Sequence, residues 1–483
     1  MNRKLSFSLL FYFFMGANIH SQTKISASID VEKNREAESR IFNIYLEQLD
    51  YMYRIRGYNR PEIDVIISQY QNNNINSVQD FADNLALLYS KEQGLAVLFF
   101  FFSQDTLRSY LFEPGKLIVE KIIPITSNEL IVLREDILRS LRITDLSKQR
   151  APQLRGIVSP QDTSNVPVFS AAVEKATKLL FPSEFDEKYK HLLIVPALNL
   201  GVFPFHLLKP YADGSYLIEK CGFTVAPTLH DALSIRVRLL KTQYGIEIKR
   251  RIDYDVDSKF VQLDDYNRSF KSNFPFRYPL FVCNPTYPVN EKYYFPDLPG
   301  AEKEIDYVVN YCKKYTLLND TFASKENVLR SLSDHDVLYF ATHGISSEEK
   351  PMENSFLVLS DPLPYLTAKE IMELRNESYQ SFPKLVILSA CQTGLGKYLE
   401  AGIVGIARSF LIVGANHVIM SLWNVDDEAT AYLMSRFAYY LNTKEELHFF
   451  TPSEQLRLAI LDTMKKYKNP AYWASFTSFG VFH

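Results

Sequence analysis

The chain has 483 residues, of which 47% are hydrophobic and 14% aromatic, enough apolar material for a large folded core. The formal net charge of −3 excludes a strongly basic chain of the kind that binds nucleic acid, and we expect no nucleic-acid partner. Four cysteines are too few to form a disulfide framework in a chain of this length.

The first residues predict a secretory signal peptide over residues 1–21. Arg3 and Lys4 form a basic start, and the apolar stretch from Leu5 to Met15 has the length of a signal-peptide core. Cleavage near Ser21/Gln22 would give an exported protein, periplasmic or secreted. An uncleaved membrane anchor is the alternative. No later segment of the sequence has the length of a transmembrane helix.

Residues 22–84 form a predicted helical N-terminal region. Apolar residues recur at helical spacing from Ile41 to Met52 and again from Phe81 to Tyr89. The polar stretch from Gln71 to Asn76 separates the two groups. The pattern predicts about two helical hairpins without a clear internal repeat.

A small antiparallel β-meander is predicted next. Leu95–Phe102, Leu107–Phe112 and Lys116–Ile125 are strand-like runs joined by short turns. An amphipathic helix follows over Asn128–Leu141, with Ser127 or Asn128 as its expected cap.

From about residue 168 the pattern alternates between strands and helices. The predicted strands are His191–Val195, Leu280–Cys283, Val337–Ala341, Leu385–Leu388 and His417–Ser421. The predicted helices are Ala171–Leu180, Ala301–Tyr311, Ser324–Leu332, Ile403–Val413 and Glu428–Leu441. Such alternation indicates an α/β fold with a mostly parallel sheet and helices on both faces. The charged stretch 241–278 breaks the pattern and reads as an exposed insertion.

Two of these strands end next to residues with nucleophilic or acid–base chemistry. Val337–Ala341 leads into His343 and Gly344, and Leu385–Leu388 leads into Cys391. Ligands of open α/β sheets bind outside the carboxyl ends of the strands, so the pair predicts a Cys–His nucleophilic site. His343 would take the thiol proton and return it to a leaving amine. Taken singly, inert packing of Cys391 and a structural role for His343 are the alternatives.

Other reaction chemistries fit the sequence poorly. The zinc-protease, Cys-x-x-Cys, P-loop and serine-elbow motifs are all absent from the sequence. His335 and His343 lack an evident third metal ligand. We therefore expect no cofactor and no metal. Asp426 and Asp427 precede a predicted helix, where capping is their simplest role.

The ordered motifs resemble the CHAT domain family, a caspase- and separase-like cysteine peptidase fold often attached to tetratricopeptide repeats. The resemblance covers residues from about 85 to 483. The matching motifs are Leu192–Pro196 with Phe203–Phe205, Leu298–Glu302 with Glu304, Ala341–Gly344, Leu357–Asp361, Leu366–Ala368 with Glu370 and Ile371, Ser389–Gly394, Gly402–Arg408, Ser421–Trp423 with Val425–Asp427, and Tyr472 with Trp473.

The resemblance implies a caspase-like (clan CD) peptidase domain over residues 85–483. Within it we separate a subregion over 85–165, the insertion over 241–278 and a catalytic core over 279–483. The implied dyad is His343 as general base and acid with Cys391 as nucleophile, and the backbone amides of Gly344 and Cys391 are the implied oxyanion donors. The candidate substrate-binding residues are Trp423, Asp426 and Glu400.

Three departures from the family pattern bear on specificity and partners. Gln392 stands where the family usually has glutamate after the cysteine. Ala401 takes the usual acidic position before the following helix, and Glu400 lies one residue earlier. A shift of one residue would point the acidic side chain in a different direction, which bears on any acid-lined specificity pocket. Residues 22–84 hold at most one or two degenerate helical pairs, too few for a tetratricopeptide solenoid.

The leading interpretation is an exported cysteine endopeptidase acting on a peptide or protein substrate, with a regulatory protein partner through the N-terminal helices as a further expectation. The alternative is a catalytically silent scaffold or sensor of the same fold that binds peptides or proteins. A third interpretation, acyl transfer or amide hydrolysis on a non-protein substrate, uses the same chemistry.

Overall fold

The fold is seen in a computed structural model of the chain. It describes residues 39–72, 77–86, 89, 94–141, 143, 166–244, 278–289, 293–347, 349–376, 382–390, 397–399, 402–423, 426–443 and 451–481. The predicted signal peptide, Cys391, Glu400 and most of the predicted insertion lie outside these ranges. Within them, no helix combines the length and hydropathy that a membrane crossing requires.

The helices are numbered in chain order. In the N-terminal half they are α1 (39–55), α2 (Arg60–Asn72), α3 (Val78–Ala86), α4 (Ser127–Ser140), α5 (Val166–Leu180), α6 (Leu217–Lys220) and α7 (Leu229–Tyr244). In the C-terminal half they are α8 (Pro299–Val309), α9 (Lys325–Ser331), α10 (Pro351–Asn354), α11 (Ala368–Glu373), α12 (Ile406–Val413), α13 (Asp427–Thr443), α14 (Pro452–Lys466) and α15 (Pro470–Trp473).

The strands are numbered in the same way. The first seven are β1 (Leu95–Ser103), β2 (Thr106–Glu113), β3 (Lys116–Pro124), β4 (His191–Val195), β5 (Gly222–Val225), β6 (Pro279–Pro285) and β7 (Thr316–Asp320). The others are β8 (Val337–Ala341), β9 (Gly344–Ile345), β10 (Phe356–Val358), β11 (Tyr365–Thr367), β12 (Leu385–Leu388), β13 (Lys397–Leu399), β14 (Gly402–Val404), β15 (His417–Ser421) and β16 (Phe476–Gly480).

One large mixed sheet flanked by helices organises the molecule. Its 11 strands run in the order β3-β2-β1-β4-β5-β16-β15-β12-β8-β6-β7. The expected α/β architecture is confirmed. Its buried strands are almost wholly apolar, because a strand covered on both faces has no solvent side for polar residues. The antiparallel meander is the edge of this same sheet, since β1 pairs in parallel with β4.

The sheet has two parallel halves that run in opposite directions. β1, β4, β5 and β16 are mutually parallel, as are β15, β12, β8, β6 and β7. The halves meet where β15 and β16 pair antiparallel. The carboxyl ends of β15, β12, β8 and β6 therefore share one edge, which is where the sequence places the reactive residues.

Two local predictions need correction, and one central strand was not predicted. The cap of α4 is Thr126, because its hydroxyl accepts from the Glu129 amide and the Glu129 carboxylate accepts from the Thr126 amide. Residues Gly402–Val404 form β14 instead of the start of a helix, and α12 begins only after Gly405. Strand β16 lacked a predicted counterpart, although it lies at the centre of the sheet.

The helical N-terminal region is built from α1, α2 and α3. Buried apolar residues of these helices belong to the same hydrophobic core as the sheet; they include Leu49, Met52, Ile63, Phe81 and Leu85. The amphipathic spacing read from the sequence thus reflects burial against the large domain rather than repeat stacking.

Candidate active site

His343 lies at the carboxyl edge of the sheet, two residues beyond the last residue of β8. On one side β8 pairs in parallel with β12, and on the other with β6. The imidazole is only 2% exposed, so its surroundings are set by protein groups rather than by bulk solvent.

The imidazole is oriented by a backbone carbonyl. His343 Nε2 lies 2.8 Å from the carbonyl oxygen of Pro296. A carbonyl oxygen only accepts, so this contact assigns the hydrogen to Nε2. In the neutral ring Nδ1 is then the acceptor nitrogen, which is the form that a general base needs.

Two aromatic rings fix the plane of the imidazole. The ring of Tyr287 lies 4.7 Å from that of His343 between centroids, and the ring of Phe295 lies 5.5 Å away. Asn284 supports the same segment, because its Oδ1 accepts from the Leu298 amide at 2.8 Å. The chain from Phe295 to Leu298 is therefore anchored at the end of β6, and it presents the Pro296 carbonyl to the histidine.

The backbone amide of Gly344, the predicted oxyanion donor, is not used in the β9–β10 ladder. The Val358 amide donates to the His343 carbonyl at 2.9 Å, and Gly344 lies opposite Leu357 in the β9–β10 ladder. Hydrogen-bonded and non-hydrogen-bonded pairs alternate along an antiparallel ladder. The Gly344 amide therefore points away from β10.

A buried carboxylate supports the segment that leads to Cys391. Glu304 on α8 is fully buried, and its Oε2 accepts from the Ser389 hydroxyl at 3.0 Å. Its Oε1 accepts from the Tyr339 hydroxyl. The Ser421 hydroxyl donates to the Ala390 carbonyl at 2.6 Å. The Ser389 amide also donates to the Phe340 carbonyl at 2.8 Å. Cys391 itself lies outside the described residues, but the two residues before it are thus held by α8, β15 and β8.

The predicted substrate-binding residues are placed as follows. Trp423 follows β15 at the same edge of the sheet, but it is buried and its Nε1 donates to the Ala471 carbonyl at 3.1 Å. Asp426 Oδ1 accepts from the Ala429 amide at 2.9 Å, which is the expected helix cap. Glu400 lies outside the described residues. Their part in binding substrate stays a prediction.

Asp427 has a separate structural contact. A β-carbon on Gly300 would overlap the Asp427 carboxyl group, so the carboxylate packs against the first turn of α8. A negative charge is stabilising at a helix N-terminus. Only glycine leaves room for this approach.

Of the histidines and cysteines named in the sequence analysis, His335 lies away from this edge, whereas Cys283 lies near it, opposite Ala341 toward the carboxyl end of β6. His335, at the opposite end of β8, contacts the Ser331 carbonyl through Nδ1 at 2.7 Å and the Thr316 hydroxyl through Nε2 at 2.8 Å. Cys221 and Cys283 are buried, as expected. Burial raises the pKa of the Cys312 thiol to about 12, which makes it a poor nucleophile. The described residues contain no cluster of three or more potential metal ligands.

Sequence reasoning missed the groups that position the histidine. Pro296 acts through its backbone carbonyl, which any residue type possesses, and Tyr287 and Phe295 resemble other apolar-core residues. The sequence did mark Glu304, because this residue ends one of the ordered motifs. The motif does not indicate what the carboxylate contacts.

Comparison with known proteins supplies the family. A model of the CHAT domain matches residues 171–481. Tetratricopeptide repeat protein 28 of Homo sapiens is 22% identical over 333 residues, which is 61% of this chain and 12% of that protein. The Mus musculus protein of the same name is 26% identical over 332 residues, again 61% of this chain and 12% of that protein. The chain thus spans about an eighth of the length of these relatives.

The chain is also similar to solved structures of a cysteine proteinase and of a separase–securin complex. The Arg-specific cysteine proteinase gingipain R is 12% identical, with a TM-score of 0.41, covering 81% of this chain and 78% of that chain. A separase–securin complex of Saccharomyces cerevisiae is 10% identical, with a TM-score of 0.45, covering 84% of this chain and 31% of that chain.

Proposed function

Because this chain belongs to the CHAT domain family, we propose that it is a cysteine endopeptidase that hydrolyses peptide bonds through Cys391, with His343 as general base and acid. The observation that carries the proposal is the histidine. Its Nε2 is held by the Pro296 carbonyl, which leaves Nδ1 as the acceptor at the edge of the sheet where ligands of α/β folds bind.

The strand register supports pairing of the two residues. Leu388 of β12 pairs with Phe340 of β8, an offset of 48 positions. Cys391 and His343 are separated by the same 48 positions in the sequence. His343 lies three positions after Phe340, and Cys391 lies three positions after Leu388, so we expect the imidazole and the thiol to leave adjacent strands side by side.

The proposed reaction begins with proton transfer from the Cys391 thiol to His343 Nδ1. The thiolate attacks the substrate carbonyl carbon, and the amides of Gly344 and Cys391 donate to the developing oxyanion. The imidazolium then protonates the leaving amine as the C–N bond breaks, which leaves an acyl-thioester on Cys391. Water, deprotonated by His343, hydrolyses the thioester and releases the acid.

The test is a cleavage assay with matched cysteine variants. The full chain, under mild reductant, is incubated with a diverse peptide mixture, and mass spectrometry maps the cuts for wild type, Cys391→Ala and Cys312→Ala. We expect cuts from wild type and Cys312→Ala, and none from Cys391→Ala. The pattern of cuts would also give the residue preferred before the scissile bond.

Two results would count against the proposal. Equal cleavage by wild type and Cys391→Ala would assign the activity to another group or to a contaminant. Peptide binding without turnover, together with a labelling rate at Cys391 no faster than that of an ordinary thiol, would favour the silent binding scaffold.

We also propose export and a role for the N-terminal helices in binding a regulatory protein. Support for export is the signal-like pattern of residues 1–21. Mass spectrometry of the protein from its native source should find Gln22 at the N-terminus. Recovery of peptides from residues 1–21 in the mature protein would contradict cleavage.

A further inference from the structure

A cavity lies between the N-terminal helices and the large domain, away from the catalytic edge. Its volume is about 90 Å³, and its lining comes from α1, α2 and the turn between them, from Pro227 and α7, and from α12. A buried water needs roughly 10–15 Å³ on this scale, so the space suits several waters or one small anion. The exposed Ser234 and the half-buried His230 lie among its lining residues and give access from solvent.

Positive charge dominates the described residues that line this cavity. Arg56, Arg238 and Arg408 contribute three guanidinium groups, and Asp231 is the one carboxylate among them. Burial lowers the pKa of His230, so that imidazole adds no charge near neutral pH. The cavity therefore carries a local excess of about two positive charges, since arginine does not deprotonate in proteins.

Two of these guanidinium groups retain unused donors. Arg56 is 1% exposed and Arg408 is 2% exposed. Across the described part of the chain, Nε and Nη2 of both residues make no hydrogen bond. Such donors are rarely left without a partner in native proteins, because burying an unpaired polar group is costly.

The contacts that hold Arg56 and Arg408 do not use their Nε and Nη2 donors. Arg56 Nη1 pairs with Asp231 Oδ2 at 3.3 Å, and its Cζ lies 5.2 Å from the centre of the Tyr53 ring. Arg408 Cζ lies 4.6 Å from the centre of the Phe479 ring. A ring face stabilises the cation without accepting its N–H groups. The guanidinium groups are thus fixed in position while their edges stay free to bind an anion.

Asp231 and Arg238, which also line the cavity, are held in position by hydrogen bonds. Asp231 Oδ1 accepts from the Tyr53 hydroxyl at 3.1 Å. Arg238 Nη2 donates to the carbonyls of Leu411 at 3.2 Å and Ala415 at 2.5 Å. The burial of Arg408 and the nearby charge of Arg56 both lower the pKa of Arg408, which is the electrostatic cost that a bound anion would offset.

We propose that this cavity binds a small tetrahedral oxyanion, a phosphate ion or the phosphoryl group of a small molecule, through Arg56 and Arg408. Guanidinium groups match phosphate oxygens in bidentate geometry, which favours phosphate over a simple halide. The bound anion would tie the N-terminal helices to α7 and α12. The inference is independent of the proposed peptidase chemistry.

The first experiment measures thermal unfolding of the full chain in phosphate-free buffer against increasing sodium phosphate, with potassium chloride at matched ionic strength as the salt control. We expect phosphate to raise the midpoint by roughly 2 °C or more beyond chloride. Glucose 6-phosphate is titrated in parallel. A larger rise with the ester identifies a phosphorylated small molecule as the ligand, and an equal or smaller rise identifies free phosphate.

Variants that remove a positive charge and a variant that removes the negative charge should change phosphate affinity in opposite directions. Arg56→Gln and Arg408→Gln should weaken phosphate affinity roughly tenfold or more, since each removes charge-assisted hydrogen bonds. Asp231→Asn keeps the shape but removes the one carboxylate, and it should tighten binding. Arg330→Gln, an exposed arginine paired with Glu326, changes net charge equally and should leave affinity unchanged.

Three outcomes would overturn the proposal. One is an equal response of the wild type to phosphate, ester and chloride. Another is an unchanged phosphate affinity in Arg56→Gln and Arg408→Gln. The last is weaker binding by Asp231→Asn, which stays informative even if an arginine variant fails to fold.

Discussion

Two regions of this molecule bury charge in different ways. Beneath the edge of the sheet that carries His343, both oxygens of Glu304 accept hydrogen bonds, from the hydroxyls of Tyr339 and Ser389. In the cavity between the N-terminal helices and the large domain, buried arginines keep nitrogen donors without partners among the described residues. A buried polar group whose hydrogen-bonding atoms are all satisfied holds its neighbours in one arrangement, whereas one with unused donors gains further stabilisation when a ligand accepts from them.

The contrast assigns different roles to the two regions. Glu304 fixes Ser389, two residues before Cys391, so it is a positioning residue for the proposed nucleophile. Arg56 and Arg408 hold the place of an external anion.

Removal of the proposed catalytic imidazole should abolish turnover but leave the cavity intact. We expect His343→Ala to lower kcat/KM by roughly 10²–10⁴-fold, the usual worth of a positioned general base. The phosphate-induced rise in unfolding midpoint should match that of wild type. Loss of the phosphate response in this variant would mean that the two regions act as one site.

Removal of each buried charge should affect stability differently. We expect Glu304→Ala to lower the free energy of unfolding by about 2–4 kcal/mol, because two hydroxyl donors lose their acceptor. In phosphate-free buffer, Arg408→Met should stay within about 1 kcal/mol of wild type, since it replaces an incompletely paired charge with an apolar side chain of similar length.

Chemical denaturation measures both changes. Glu304→Gln is the control for the first, since it keeps the shape and one acceptor, and it should lose less stability than Glu304→Ala. If Arg408→Met lost as much free energy of unfolding as Glu304→Ala, the proposed difference between the two regions would be wrong.

Buried imidazoles differ from the side chains of both regions because burial keeps them uncharged. Burial lowers the pKa of His206 to about 3, so the folded chain keeps this ring neutral while the unfolded chain protonates it below about 6.5. Its contribution is complete above pH 6.5 and is lost as the pH falls toward 3. We expect a loss of about 2 kcal/mol by pH 5.

Urea unfolding of wild type and His206→Gln from pH 7 to pH 4 would measure the contribution of His206 to the pH dependence of stability. The variant should show a shallower fall in stability with acid, because glutamine does not titrate. Parallel curves for the two proteins would show that His206 does not contribute to the acid sensitivity.

Trp423 gives the smallest expected effect. Trp423→Phe removes the indole N–H that donates to the Ala471 carbonyl, and we expect a loss of about 1 kcal/mol of unfolding free energy. Steady-state kinetics of the same variant test its predicted part in substrate binding. A raised KM for cleaved peptides would support that part, and an unchanged KM would leave the indole a packing role.

The amino-acid sequence by itself determined the local features. Apolar runs predicted β8, β12 and β15, and helical spacing predicted α1, α4 and α13, because burial of one face imposes these periods. The two strand-end residues, His343 and Cys391, were found in the same way. The ordered motifs are sufficient to indicate the family.

The tertiary structure decided which distant segments meet. The central position of β16, the Pro296 carbonyl against His343 and the Glu304 carboxylate against Ser389 each join parts of the chain that are far apart in sequence. The arginine cavity likewise joins Arg56, Asp231 and Arg408. Periodicity reports which side chains are buried, but it carries no information on the partners they find there, since these depend on how whole elements pack.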